Sequence, residues 1–425
     1  MEPSDFEPGI EWARRMDASD ELACYRDEFV VAEPDLIYLD GNSLGRLPRH
    51  SAARLRAAVE EEWGRYLIRG WNRGWHEAPE RVGEKIAQVA GAGPGQVIVS
   101  DSTTVNLFKL CMAALRFRPD RLGIVSDALN FPSDLYTLQG CVQALGGRHR
   151  LNLVPSPDDV SIPLEALAGA IGTETALVTL SHVTFKSGFL HDAEAITELA
   201  HSKGALVLWD LSHSVGVVPI ELDRWGVDFA VGCTYKYLNG GPGSPAFLYV
   251  RHDLQEAASS PIWGWFGERA PFDFGLRYEP APGVRRFLAG TPAVLPLLAV
   301  ESALDLLLEA GLEKIRRKSV ALTSYAIDLF EMLLAPLGFA LGSPRLSERR
   351  GSHVSLRHGD GYRIARALIE EMRVLPDFRE PDCIRLGLSP LTTSFVEVWE
   401  AIDRMRRVVE EKRHERYPQE RLPVT

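Results

Sequence analysis

Between residues 80 and 250, short apolar runs alternate with stretches whose apolar positions recur at helical spacing. Val97-Ile98-Val99, Leu122 to Val125, Ala176 to Leu180, Ala205 to Trp209, Phe229-Ala230-Val231 and Ala246 to Val250 predict strands. Val105 to Leu115 and Ala193 to Lys203 predict helices. Strands that alternate with helices need crossover connections, which give a mostly parallel sheet with helices on both faces. Such a sheet binds ligands at the carboxyl ends of its strands, so the residues that follow each apolar run are the ones to examine.

From about residue 293 the pattern changes. Leu297, Val300, Leu304, Leu307 and Leu308 mark one face of a helix expected to link two domains. Beyond it, Ser352 to Leu356 reads as a strand, and Tyr362 to Met372 and Val396 to Val408 as helices, which suits a small α+β domain. The expected organisation is an N-terminal arm (1–48) that joins the small domain, a large domain (49–292) and a small C-terminal domain (293–425).

Composition narrows the function classes. A chain of 425 residues exceeds one compact core, and 45% hydrophobic with 25% charged residues is ordinary for a globular protein. The net charge of −11, without a basic run, argues against nucleic-acid and anionic-membrane partners. Five scattered cysteines with no C-x-x-C fit free thiols in a reducing cytoplasm. The acidic N-terminus lacks the pattern of a signal peptide, and no apolar run suggests a membrane span.

Candidate chemistry sits at the ends of the predicted strands. Ala205 to Trp209 stops at Asp210, and Phe229-Ala230-Val231 runs on to Lys236, followed at once by Gly240-Gly241-Pro242-Gly243. An Asp at a strand end is by itself more often a cap, and a lone lysine more often a solvated cation. Together they fit a buried amine able to attack an aldehyde and a carboxylate able to hold a ring nitrogen protonated, the two needs of pyridoxal phosphate (PLP) chemistry. Val97-Ile98-Val99 leads through Ser102, Thr103 and Thr104 into a helix N-terminus, where free N–H groups favour a dianion. Asn130-Phe131-Pro132-Ser133-Asp134 follows another strand, and Phe131 offers a ring to stack on a pyridine face.

Seven stretches carry a resemblance: Tyr38–Gly45 (YLDGNSLG), Thr104–Leu107 (TVNL), Phe131–Asp134 (FPSD), Asp210–His213 (DLSH), Trp225–Phe229 (WGVDF), Tyr235–Gly243 (YKYLNGGPG) and Trp263–Gly267 (WGWFG). The chain resembles the fold-type-I PLP enzymes and, within them, the kynureninases. The resemblance implies an α/β fold, with a large domain around a mostly parallel, seven-stranded-type sheet and a smaller C-terminal α+β domain. It implies PLP as cofactor, with Lys236 as the Schiff-base lysine, Asp210 on the pyridine nitrogen and His213 beside the ring. Thr103, Thr104 and Tyr235 would hold the phosphate, and Tyr235 would also relay protons. Phe131 would stack on the ring, Asp134 support the pocket and Ser181 face the cofactor's hydroxyl side. Trp265 and Thr291 would come from the partner subunit of a homodimer with shared sites; the family often carries Asn at the place of Thr291. Arg385 would clamp the substrate's α-carboxylate. The implied reaction is hydrolysis of L-kynurenine, or its 3-hydroxy derivative, to the anthranilate and L-alanine, in tryptophan catabolism or a branch toward NAD biosynthesis. Its rivals are desulfuration or transamination on the same fold, and a PLP-fold binding protein without turnover.

Overall fold

The computed structural model describes residues 9–420. After a two-residue strand β1 (Ile37–Tyr38) in the N-terminal arm, seven strands build the central sheet: β2 (Val97–Val99), β3 (Gly123–Asp127), β4 (Arg150–Val154), β5 (Thr175–Ser181), β6 (Leu206–Asp210), β7 (Phe229–Gly232) and β8 (Phe247–Val250). Their order is β2-β8-β7-β6-β5-β3-β4. Only β8 runs against its neighbours, so β2 to β7 all end on one edge. β5 to β8 are buried along their whole length, as continuous apolar runs with helices on both faces should be. β4 is absent from the sequence reading. It lies at the sheet margin, mostly exposed, and its polar Arg150 and Asn152 break the apolar signal.

The small unit is a four-stranded antiparallel sheet of order β12-β13-β10-β9, from β9 (Ala340–Leu341), β10 (His353–Arg357), β12 (Asp377–Arg379) and β13 (Cys383–Gly387). The helices Gly361–Glu371 and Phe395–Glu410 bury Ile364, Leu368, Val398, Ile402 and Met405 in its core. The N-terminal arm packs on both units: Ala13, Ile37 and Leu39 join this core, while Leu22 and Phe29 join the core of the central sheet. Trp12 packs on Tyr325 and Phe395, with ring centroids 4.4 and 5.7 Å apart, and β1 pairs in parallel with β11 (Val374–Leu375). Farther along the arm, Asn42 presses on Gly387: a Cβ there would stand 1.8 Å from Asn42 Oδ1.

Two helices, Val294–Ala310 and Leu312–Leu329, join the units and meet at Gly311. The first buries Leu297, Val300, Leu304 and Leu307 in the same core as the central sheet, while the second carries Leu322, Tyr325 and Ala326 into the small-unit core. The two cores therefore divide near Gly311, beyond the change of sequence character at residue 293. That change marks where the joining helix starts, and its apolar face then turns back onto the large unit. The helical stretch Leu312–Leu337 has the length and apolar content of a membrane span, with a mean hydropathy of 1.5, but it packs Leu322, Leu329 and Leu334 into the small-unit core.

Candidate functional site

β7 ends at Gly232, and a tight turn then delivers Lys236. The Thr234 hydroxyl donates to the Pro245 carbonyl at 2.7 Å, and the Gly240 amide returns to the Thr234 carbonyl at 2.9 Å. The N-terminal arm closes over this turn: the Gly45 amide donates to the Tyr235 carbonyl at 2.8 Å, and a Cβ on Gly45 would lie 2.3 Å from the Lys236 carbonyl oxygen. Lys236 Nζ then stands 3.1 Å from His213 Nε2 and 5.9 Å from the ring centroids of both Phe131 and Tyr235. His213 is buried. Burial first, then the charges of Lys236 and Arg385, push its imidazole well below the usual range, so it is neutral at physiological pH.

Asp210, the last residue of β6, is buried, and its Oδ1 accepts from the Ser212 amide at 2.8 Å and the Ser212 hydroxyl at 2.6 Å. Asp134, in the first turn of the helix Pro132–Ala144, shares a hydrogen bond with Asp210. Burial, followed by the Asp210 charge, raises Asp134 well above the ordinary carboxylate range, so Asp134 carries the proton of the pair. Ser181, the last residue of β5 and the register partner of Asp210, donates at 2.7 Å to Asn130 Oδ1. The same oxygen accepts the Phe131 amide at 2.8 Å and so sets the start of the Phe131 segment. The Phe131 ring meets Phe185 edge-on at 5.3 Å.

The helix Thr103–Phe117 begins directly after β2, two residues ahead of the expected start, with Ser102 as its N-cap accepting the Val105 amide at 3.4 Å. Thr104 Oγ1 lies 3.2 Å from Ser133 Oγ, which brings the N-termini of two helices together. Free N–H groups and two helix dipoles make this a place for an anion. The neighbouring Asp101 does not oppose it, because buried Lys109 takes its carboxylate at 2.5 Å.

Arg385 lies on β13 and is 1% exposed. Its Nη1 donates to the Phe185 carbonyl at 2.5 Å, and its Nη2 reaches the Ser43 hydroxyl at 2.8 Å and ion-pairs with Asp377, its cross-strand neighbour on β12. Asp40 stands 4.0 Å away. The guanidinium thus joins the small unit, the arm and the loop after β5. Trp265 and Thr291 lie elsewhere on the subunit. Trp265 is 37% exposed and packs on Phe266 and Phe272, Thr291 is exposed, and neither touches the cluster around Lys236 among the described contacts.

Several residues of the cluster escape sequence reasoning. Phe185 and Asn130 act through contacts that appear only once β3 and β5 are neighbours. His353, from β10, places its ring 5.9 Å from His213 and is likewise held neutral by burial and by the charges of Arg385 and Lys236. Gly45 and Ser43 fall in the YLDGNSLG stretch, whose turn-like composition signals a loop but not its partner. The donor set suits PLP: an amine, a carboxyl pair for a ring nitrogen, an aromatic face and twin helix N-termini for a phosphate.

Comparison with known proteins gives a consistent picture. Residues 315–405 match the family described as the kynureninase C-terminal domain. The kynureninase of Pseudomonas fluorescens is 44% identical over 402 residues, covering 93% of this chain and 94% of that protein. The kynureninase of Burkholderia pseudomallei strain 1106a is 43% identical over 405 residues, covering 94% and 95%. Among solved structures, the apo cysteine desulfurase of Thermococcus onnurineus NA1 superposes with a TM-score of 0.79 at 18% identity, over 91% of this chain and 98% of that one. The cystine C–S lyase C-DES in complex with cysteine persulfide gives 0.75 at 20% identity, over 88% and 98%. At these identities the two structures speak for the fold alone.

Proposed function

The chain belongs to the kynureninase family, and from that premise we infer that it is a PLP-dependent hydrolase that converts L-kynurenine to anthranilate and L-alanine. The observation that carries the reading is the convergence, on one sheet edge, of Lys236 at 3.1 Å from neutral His213 with the buried Asp210–Asp134 pair.

When bound, the cofactor supplies an electron sink that stabilises charge at the substrate's α- and β-carbons while water cleaves the Cβ–Cγ bond. The protein's residues orient, neutralise and move protons. Lys236 would hold the cofactor through its amine and would serve as the base for the substrate's α-proton, with His213 Nε2 at 3.1 Å placed to accept a hydrogen bond from that amine. Asp210, with the protonated Asp134 donating to it, would keep the cofactor's ring nitrogen protonated. Burial, Cys233 and Asp210 raise the Tyr235 phenol, so it stays protonated and able to donate at neutral pH. Thr103, Thr104 and the two helix N-termini would hold the phosphate, Phe131 would offer its face to the ring, and Ser181 would serve the hydroxyl side through Asn130. Arg385 takes the α-carboxylate, which displaces one of its present partners.

Trp263, Trp265, Phe272 and Phe274 form an exposed aromatic stretch with Trp63, Leu67 and Ile68 also exposed, which supports a homodimer whose partner supplies Trp265 and Thr291. Five free cysteines support a cytoplasmic location. Desulfuration is disfavoured at the cysteine nearest the clamp: Cys383 is buried in β13 and its thiol is pushed up by burial, the opposite of a nucleophile's setting. The test is release of fluorescent anthranilate from L-kynurenine and 3-hydroxyanthranilate from the hydroxylated substrate by the holoenzyme. Sulfide release from cysteine without either product would replace this reading with desulfuration.

A further inference from the structure

A cavity of about 520 Å³ opens where the large unit meets the loop around residues 344–349, and none of the residues assigned to the reaction lines it. Its size lies within the range of small-molecule sites. The buried side chains of Ile162, Phe189 and Ile196 give it an apolar floor. Glu165 and Asp192 line it from the large unit, and Arg349 from the small unit, with its guanidinium 5.3 Å over the Phe189 ring. Glu165 and Arg349 make no ion pair among the described residues and so present charges of opposite sign to one space, while Asp192 caps the helix Ala193–Ser202 by accepting the Ala195 amide at 3.0 Å. The other charges there are engaged: Asp158 accepts the Val160 and Ser161 amides at 2.9 and 2.8 Å, and Arg345 pairs with Glu331.

We propose that this cavity is a second binding site, for a free aromatic α-amino acid. The ligand's ammonium faces Glu165, its carboxylate meets the fork of Arg349, and its ring lies on the apolar floor beside Phe189, whose own face the guanidinium already covers at 5.3 Å. A zwitterion matches both charged sides at once, where an anion or a cation alone would satisfy only one. The ligand would also brace the two units against each other, because the Leu190 amide already donates to the Arg349 carbonyl at 2.9 Å. The floor residue Phe189 shares a loop with Phe185, whose carbonyl takes Arg385 at 2.5 Å, so the pocket adjoins the support of the substrate clamp.

The test is isothermal titration calorimetry of the holoenzyme with L-tryptophan, using tryptamine and indole-3-propionate as probes that lack the carboxylate and the ammonium. The expected result is saturable binding of L-tryptophan that weakens by at least about tenfold, 1.4 kcal/mol, in Arg349→Ala and for either truncated probe. Because L-tryptophan can also enter the reaction site through its α-carboxylate, the titration is repeated in Arg385→Lys, where the binding that depends on Arg349 should persist. Absence of saturable binding at millimolar ligand, or binding lost in Arg385→Lys and kept in Arg349→Ala, overturns the proposal. Anthranilate release on the same preparation separates the two readings: failure there sinks the reaction and leaves the pocket standing.

Discussion

Lys236 and Asp210 were legible because each follows an apolar run, and a parallel sheet turns that sequence position into one spatial edge, whereas Ser181 came only with the family resemblance. Their mutual relations were not legible. The Asp134–Asp210 hydrogen bond joins residues from separate crossover units, and Arg385, which without the family reads as a surface cation, is one of the largest fully buried side chains. Lys236→Ala should abolish the visible absorbance of the lysine-bound cofactor and kynurenine turnover while leaving the far-UV circular dichroism unchanged; a variant that keeps both signals would remove Lys236 from its role. For Arg385→Lys, kcat/KM should fall by about ten- to a hundredfold, since charge-assisted hydrogen bonds are worth roughly 1.5–3 kcal/mol each. The burial adds an expectation of lower Tm, because Asp377 loses its close cross-strand partner. Unchanged kinetics with a lowered Tm would make Arg385 a purely structural residue. Asp40 carries a pH signature. Its carboxyl is raised to about 6 by burial and by Asp377, so the native state binds the proton more tightly than the unfolded chain. Stability from this group is full below the ordinary carboxylate range and is lost as pH rises through about 6. Asp40→Asn should therefore gain on the parent, by up to about 3 kcal/mol at 1.36 kcal/mol per unit, between pH 4 and 7. Thermal melts at the two pH values check it, and a Tm difference independent of pH would rule it out.

At the scale of elements, the buried strands were readable as apolar runs and the helices as periodic faces, whereas β4 was hidden by its exposure at the margin. The joining helix shows a different limit. Its apolar face was plain, but periodicity does not say which of two cores a face will meet, and it meets the large one. The helix Thr103–Phe117 offers a direct test of the phosphate assignment. Ser102→Ala removes the N-cap acceptor and should cost about 0.5–2 kcal/mol of stability. It should also weaken PLP retention, measured by dialysis and cofactor absorbance, because the first turn that presents its N–H groups frays. Lower stability with unaltered retention would detach that helix from the phosphate.

For the molecule as a whole, the alternation of strands and helices foretold the layered fold, but one chain's sequence and structure leave Trp265 and Thr291 facing outward. If the partner supplies them, mixing two inactive homodimers, Lys236→Ala and the double variant Trp265→Ala/Thr291→Ala, should restore about a quarter of the parental activity after subunit exchange, since half the dimers are mixed and each holds one intact site. Activity that stays at the level of the separate variants would mean that neither residue acts across the subunit boundary. The parallel pairing of Ile37 with Val374 and Tyr38 with Leu375 also sets an order of events during synthesis. The large unit's sheet is complete by Val250, well before the ribosome reaches β11. At about 5–20 residues per second, the apolar Ile37-Tyr38-Leu39 segment waits on the order of tens of seconds for its partner strand. Over that interval the newborn chain carries a formed central sheet and a loose sticky segment, so chaperone capture and proteolytic nicking should concentrate near Ile37 until translation is nearly over.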